Sequence, residues 1–263
     1  MSDEHLAHGW EAAAPDERSV LRSFVLSTAD TTAWVTERVG GRVGRWDDLA
    51  AADPASPIFF DNFAVLLAPP AYGDLDDVLA RLTAFYPPDR HFALLSVWPT
   101  PDLTADGFAL MGHPPFMVRA AGGVRPPVPD GLTIVEATDA ATLADALTVL
   151  GEGFGFPADG SPAGDPRVLG GPVRVWVGYA DGRAVSTAAA RLGHGIVDVE
   201  AVATLPDCQG RGYGEALTWE ATLADSSLPA VLYSSDAGRA IYERMGYLPL
   251  FRLTLWHRPP AEA

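Results

Sequence analysis

Three glycines stand at alternate positions in CQGRGYGEAL, Gly210, Gly212 and Gly214, interleaved with Gln209, Arg211 and Tyr213. The stretch follows a β-rich run that ends at Leu205-Pro206, and it leads into a segment carrying Leu217, Ala221 and Ala224 on one helical face. A strand, a glycine turn and a helix N-terminus together present unpaired backbone N–H groups and the positive end of a helix dipole. Glycine lets the backbone close around an anion, because a Cβ would both obstruct the approach and disfavour positive φ. The chemistry available to such a stretch is the holding of a phosphate.

Two familiar phosphate loops do not fit. The nucleotide-triphosphate loop needs Lys and then Ser or Thr after its last glycine, where Glu215 and Ala216 stand. The dinucleotide fingerprint needs G-x-G-x-x-G within a parallel βαβ unit, whereas this stretch reads G-x-G-x-G and follows antiparallel runs.

The elements that must position the loop follow from spacing. AAGGVRPPVPDG, from Ala120 to Gly131, disfavours helix and central strand alike and marks a linker. The expected division is an N-terminal α/β domain at 1–120, a linker at 121–131 and a second domain at 132–263. In the second domain a strand runs from Leu132 to Ala137, followed by a helix capped by Thr138 or Asp139, with Leu143, Leu147 and Leu150 on its face. Three β-rich runs follow, separated by Asp181-Gly182 and Gly193-His194-Gly195, both hairpin chemistry. After the glycine stretch come a strand from Ala230 to Ser234, a helix from Asp236 to Met245 and a last strand from Leu250 to Trp256. The expected order is βαβββαβαβ.

In the first domain, strands are expected from Asn62 to Pro70 and from His91 to Trp98, with a helix between them capped by Asp74. A segment from Gly107 to Ala120 follows. Strand, proline, helix, strand ending in Ser, Met-Gly and final strand then occur twice, pairing Pro69 with Pro206, Ser96 with Ser234 and Met111-Gly112 with Met245-Gly246. Two readings stay open, a degenerate duplication that lost its glycine loop and an unrelated α/β domain.

VATLPDCQGRGYGEALT resembles the pyrophosphate loop of the GNAT superfamily of N-acetyltransferases, with Gln209, Gly212 and Gly214 at its signature positions, and SSDAGRAIYERMGYLPL is similar to that superfamily's second signature. The resemblance covers roughly Leu132 to Trp256. It implies a mixed α/β, GNAT-like acyl-CoA N-acyltransferase fold, with a central, mostly antiparallel mixed sheet flanked by helices. It also implies acetyl-CoA as cosubstrate, its pyrophosphate held by backbone N–H groups from Gln209, Gly210, Arg211, Gly212, Tyr213 and Gly214. Arg211 fits a supporting role or a solvated loop position equally. The preceding strand is expected to splay at a bulge from Ala201 to Leu205, so that Ala203, Thr204 and Leu205 hold pantetheine and the thioester carbonyl. Tyr242 corresponds to the family's general acid, with a plain core tyrosine as the other reading, and Ser235 stands where many members carry Asn. A base must take the amine's proton; Asp198 and Glu200, two apart on one strand face, are the candidates, or else two solvated carboxylates. His194 reads as a turn residue. Cys208 has no histidine in a triad context, and an acyl-cysteine is rejected.

The chain has 263 residues, 48% of them apolar, enough for a core. A net charge of −16 disfavours nucleic acid and would favour a cationic acceptor, although it also serves solubility. One cysteine excludes an intrachain disulfide, and no metal motif is found. The acidic N-terminus and the lack of a long apolar run lead us to expect a cytoplasmic protein without a membrane partner. The expected acceptor is a small-molecule or peptide amine. A non-catalytic acyl-CoA-binding module and a structural protein remain alternatives, and the oligomeric state stays open, a homodimer included.

Overall fold

A computed structural model describes residues 19–70, 75–155 and 157–260. The chain opens with α1 (Val20–Val39), capped where Ser19 Oγ accepts from the Arg22 N–H at 3.1 Å, and stopped by Gly40 at φ 83°. Nothing in the sequence reading anticipated this helix. It lies between two sheets and buries Ser23, Ser27, Thr28 and Thr31 as well as Phe24 and Val25, so it lacks the single apolar stripe that periodicity detects.

The first part continues through β1 (Arg42–Arg45), β2 (Leu49–Asp53), β3 (Phe63–Leu66), α2 (Asp76–Phe85), β4 (Phe92–Ser96), β5 (Ala109–Gly112) and β6 (Pro115–Arg119). The second comprises β7 (Leu132–Glu136), α3 (Ala140–Phe154), β8 (Val173–Ala180), β9 (Arg183–Gly193), β10 (Ile196–Thr204), α4 (Tyr213–Thr222), β11 (Ala230–Tyr233), α5 (Arg239–Arg244), β12 (Leu248–Arg252) and β13 (Thr254–Arg258). The hairpins turn where expected: Asp181 and His194 take φ 50° and 49°, each followed by a glycine at positive φ. Asp139 caps α3 by accepting from the N–H groups of Ala141 and Thr142, both at 2.9 Å. The buried face of α3 runs through Leu143, Ala146 and Val149, not Leu143, Leu147 and Leu150. The helix expected from Asp236 begins only at Arg239, because Asp236–Gly238 form a turn. Asp74 lies outside the described residues.

Two mixed sheets form. One has the order β1-β2-β3-β4-β13-β5, the other β12-β6-β11-β10-β9-β8-β7. Read from β8, the second sheet repeats the first strand for strand, with parallel β10/β11 standing where β3/β4 stand and β7 added outside. The repeat comes with an exchange. β6, from the first part, lies between β11 and β12; β13, from the end of the chain, lies between β4 and β5.

The single strand expected from Leu250 to Trp256 is therefore two strands, broken at fully buried Leu253 where the chain passes between sheets. Both carry the same alternation, so the pattern held no break. The segment from Gly107 to Ala120 divides in the same way at His113-Pro114. The two crossings are bonded together: the Leu253 N–H donates to Pro114 O at 3.0 Å, and Arg252 Nη1 donates to His113 O at 2.7 Å. Residues 121–131 are irregular chain, yet the parts on either side of them share sheets. Ser96 and Ser234 do occupy matching ends of β4 and β11. Met111-Gly112 and Met245-Gly246 do not correspond, since the first pair ends a strand and the second follows a helix.

An apolar core between the sheets gathers Phe24 and Val25 of α1, Leu95 of β4, Phe116 of β6, Val231 of β11 and Leu255 of β13. α2 covers the outer face of the first sheet through Val78 and Leu82, while Leu217 and Ala221 of α4 join the core of the second.

Candidate active site

β10 starts as an ordinary strand and then departs from both neighbours. Its register with β9 shifts between Glu200 and Ala203, and Ala201 takes φ 52°, the mark of a bulge. Its parallel pairing with β11 consists of Val197 with Ala230 and Asp198 with Val231 only. β11 itself runs on against β6 as far as Tyr233. From Val199 onward the edge of β10 that faced β11 is thus open.

Which N–H groups face that opening follows from strand alternation. The Leu205 N–H donates to Val185 O at 2.9 Å, toward β9, and the Ala203 N–H points the same way. Leu205 therefore has no free N–H to hold a thioester, contrary to the sequence reading. Thr204 faces the gap, and so does Val202, which that reading did not single out. Ser186 fixes the segment, its Oγ donating to Ala203 O at 2.8 Å and lying 2.8 Å from Thr204 Oγ1.

Beyond Leu205 a 3-10 turn, Pro206–Cys208, buries Cys208, and the chain enters the glycine loop. Gly210 and Gly212 take φ 76° and 79°. Gly214 has another reason to be glycine: a Cβ there would stand 2.9 Å from Thr204 Oγ1, so the close seating of α4 on β10 requires its absence. Among the described residues, the N–H groups from Gln209 to Glu215 donate to no carbonyl or side chain of the chain; the first to do so is Ala216, to Gly212 O at 3.0 Å. This is a cradle of backbone donors at the positive end of a ten-residue helix. Tyr213 can offer only its backbone, since its side chain is buried in the core. Gln209 Nε2 reaches Thr204 O at 3.4 Å, and exposed Arg211 turns Nη2 to Asp207 O at 3.3 Å.

Asp198 and Glu200 share a face, as both are met by one guanidinium. Arg191 Nη2 lies 3.1 Å from Asp198 Oδ2 and 2.8 Å from Glu200 Oε2. Burial works against the Arg191 charge, and the two carboxylates more than restore it. Asp198 is fully buried and neither of its oxygens is aligned for a hydrogen bond; burial pushes its carboxyl up to about 7 against the pull of Arg191. Glu200, with 32% of its side chain exposed, is the one that solvent and substrate can reach. The sequence analysis passed over Arg191, although the His194-Gly195 turn fixes the register that sets it opposite Asp198. It also missed Asp61, which approaches from the loop between β2 and β3. Ser56 Oγ donates to Asp61 Oδ2 at 2.7 Å. Burial raises the Asp61 carboxyl to about 6; bonds from Ser56 and Ser161 oppose the rise, and the nearby Glu200 charge adds to it.

Tyr242 leans on the core of the second sheet, edge-on to Tyr247 with ring centroids 6.1 Å apart, and burial raises its hydroxyl pKa. That hydroxyl bonds to no group among the described residues, whereas Tyr247 is held by Thr222 at 2.7 Å. Ile241, the neighbour of Tyr242, is 37% exposed, because α5 has only six residues. Ser235 Oγ accepts from the Gly238 N–H at 3.1 Å, which commits it to the turn before α5. Among the described residues no three of His, Cys, Asp or Glu converge to hold a metal ion, and no helix is long and apolar enough to cross a membrane.

A splayed, bulged strand thus runs into an anion cradle, and comparison with known proteins shows where such an arrangement occurs. Residues 171–249 match the family model of the acetyltransferase (GNAT) domain. No curated protein matches the chain. Among solved structures it is similar to a GCN5-related N-acetyltransferase from Kribbella flavida, at 21% identity and TM-score 0.65, over 89% of this chain and 94% of that one. It is similar also to a functionally unknown conserved protein from Staphylococcus epidermidis, at 16% and 0.61 over 84% and 95%. A third likeness is to a GNAT-family acetyltransferase from Novosphingobium aromaticivorans, at 18% and 0.56 over 88% and 97%. At these identities the likeness is one of fold, and it extends over both sheets.

Proposed function

We propose that the domain transfers an acetyl group from acetyl-CoA directly to a primary amine of a small molecule or a peptide N-terminus. One observation carries this reading: the open edge of β10 leads without interruption from an accessible carboxylate, Glu200, to the unengaged N–H groups of Gln209 to Glu215. The residues suit the cosubstrate, because a pyrophosphate needs several convergent N–H donors and room that side chains would fill. When bound, acetyl-CoA supplies an electrophilic thioester carbon and a thiolate leaving group.

The loop and the α4 dipole hold the pyrophosphate. The N–H groups of Val202 and Thr204 orient the pantetheine arm and stabilise negative charge growing on the carbonyl oxygen. Glu200 takes the proton of the acceptor amine directly or through water, with Oε2 anchored by Arg191 and Oε1 left to work. Asp198 is sealed from solvent and serves to hold Arg191 in place. As the C–N bond forms and the C–S bond breaks, the Tyr242 hydroxyl gives its proton to the departing sulfur.

Calorimetry with acetyl-CoA, followed by mass spectrometry of a panel of amines, tests the reading; no heat of binding from folded protein would sink it. The chain contains no lysine, so none of its side-chain amines competes as acceptor. Tyr242→Phe is expected to cut kcat by about 10²-fold while acetyl-CoA affinity stays as it was. The Arg191 ion pair on Glu200 favours a second reading, a binding module without turnover. Acetyl-CoA binding in the absence of any acetylated amine would select it.

A further inference from the structure

An open groove of about 710 Å³ lies between α3 and the loop of residues 157–166. That is the size of a small-molecule site. Its lining includes Leu147, Glu152, Asp159, Ser161 and Asp165, and among the described residues no Arg, Lys or His. Arg167 neutralises Asp165 at 2.6 Å; Glu152 and Asp159 form no ion pair among the described residues, although the Arg183 guanidinium, paired with Asp207, also feels the charge of Glu152.

One wall of the groove reaches the loop that carries Asp61, through Ser161. Gly153, the residue after Glu152, packs so closely on the bulged strand that a Cβ would stand 2.9 Å from that of Ala203. Ser161 reaches Asp61, and Gly160 sits against Pro57 of the loop that carries Asp61. Asp61 is largely buried, is bonded by two serine hydroxyls, has another carboxylate, Glu200, for its charged neighbour, and has no cationic partner among the described residues. A buried carboxylate in such company lacks a counter-charge, which an incoming cation would supply.

We propose that this groove binds the acceptor, and that the acceptor is a small amine with a second cationic group, one ammonium held between Asp61 and Glu200 and the other by Glu152 and Asp159. The proposal rests on the acyl-transfer reading, and it makes the first part of the chain a contributor to specificity through Asp61. An acceptor with a carboxylate in the second position would meet like charge along the whole groove and be rejected.

Calorimetry on the full chain tests this with putrescine, butylamine and γ-aminobutyrate as probes, each with and without CoA. Putrescine is expected to bind at least tenfold more tightly than butylamine, with γ-aminobutyrate the weakest. Asp61→Asn is expected to lower putrescine affinity at least tenfold and leave CoA affinity unchanged. Glu152→Gln, a change at an exposed position, should lower it several-fold. Equal binding of putrescine and butylamine, no putrescine binding by folded protein, or indifference to both variants would overturn the groove assignment. If CoA binding fails while putrescine still binds, the acyl-transfer reading falls and the acceptor role with it; if putrescine alone fails, only the groove assignment falls.

Discussion

Asp61 is expensive to keep. Its carboxyl lies near 3.8 in an unfolded chain and at about 6 in the folded one. Below pH 4 both states hold the proton and the group is neutral in its effect; above pH 6 both have lost it and the buried charge bears its full penalty. Stability should therefore fall as pH rises through that interval, by up to about 3 kcal/mol. Asp61→Asn lacks the titration, so its stability advantage over the parent, measured by urea unfolding, should grow by that amount between pH 4 and pH 7. An advantage that is constant with pH would refute the assignment. A residue kept at such a cost is expected to repay it in binding. At this scale the sequence was uneven. Glu200 and Asp198 were legible as a pair because strand alternation put them on one face. Arg191 could have been found as the lone charge in a run of small residues, in hairpin register with Asp198. Asp61 could not, because its neighbours Ser161 and Glu200 come from the other part of the chain.

The elements of the second part were legible wherever glycine or a cap enforced them: the Asp181-Gly182 and His194-Gly195 hairpins, the Asp139 cap, the loop before α4. Where burial or a crossing decided, they were not. α1 hid its helical period by being covered on two sides, and one alternating run concealed both β12 and β13. The glycine loop joins elements that must meet at close range, and Gly212 sets the angle at which β10 hands over to α4. An L-residue at its φ of 79° costs roughly 1–2 kcal/mol. Gly212→Ala should lower stability by about that amount and weaken acetyl-CoA about tenfold, read by denaturation and calorimetry. Unchanged affinity would mean that the loop only turns the chain. The first sheet supplies a natural control. β2 and β3 pair without a register shift, and β3 and β4 pair over three residues, Phe63 to Val65, so the matching strand has no bulge. One cradle exists among the described residues, in the second sheet.

In the whole molecule the exchanged strands carry much of the stability. β13 is hydrogen-bonded on both sides, to β4 and to β5, and it buries Leu255 and Trp256. Those two side chains contribute about 4 kcal/mol, against the roughly 5–15 kcal/mol that separates typical folded and unfolded states. A chain that ends at Arg252 should therefore lose cooperative unfolding by circular dichroism, although every residue of the candidate active site lies before the cut. Retained two-state unfolding would show that the first sheet closes without its borrowed strand. The linker from 121 to 131 joins the parts in sequence, but the crossed strands fasten them in space. A protease that cuts only there would leave two fragments, each clasping a strand of the other, and neither free to diffuse away. For anyone recombining such proteins, the unit to transplant is not the stretch from 132 onward but that stretch together with 115–119, a piece of the neighbour that it cannot do without.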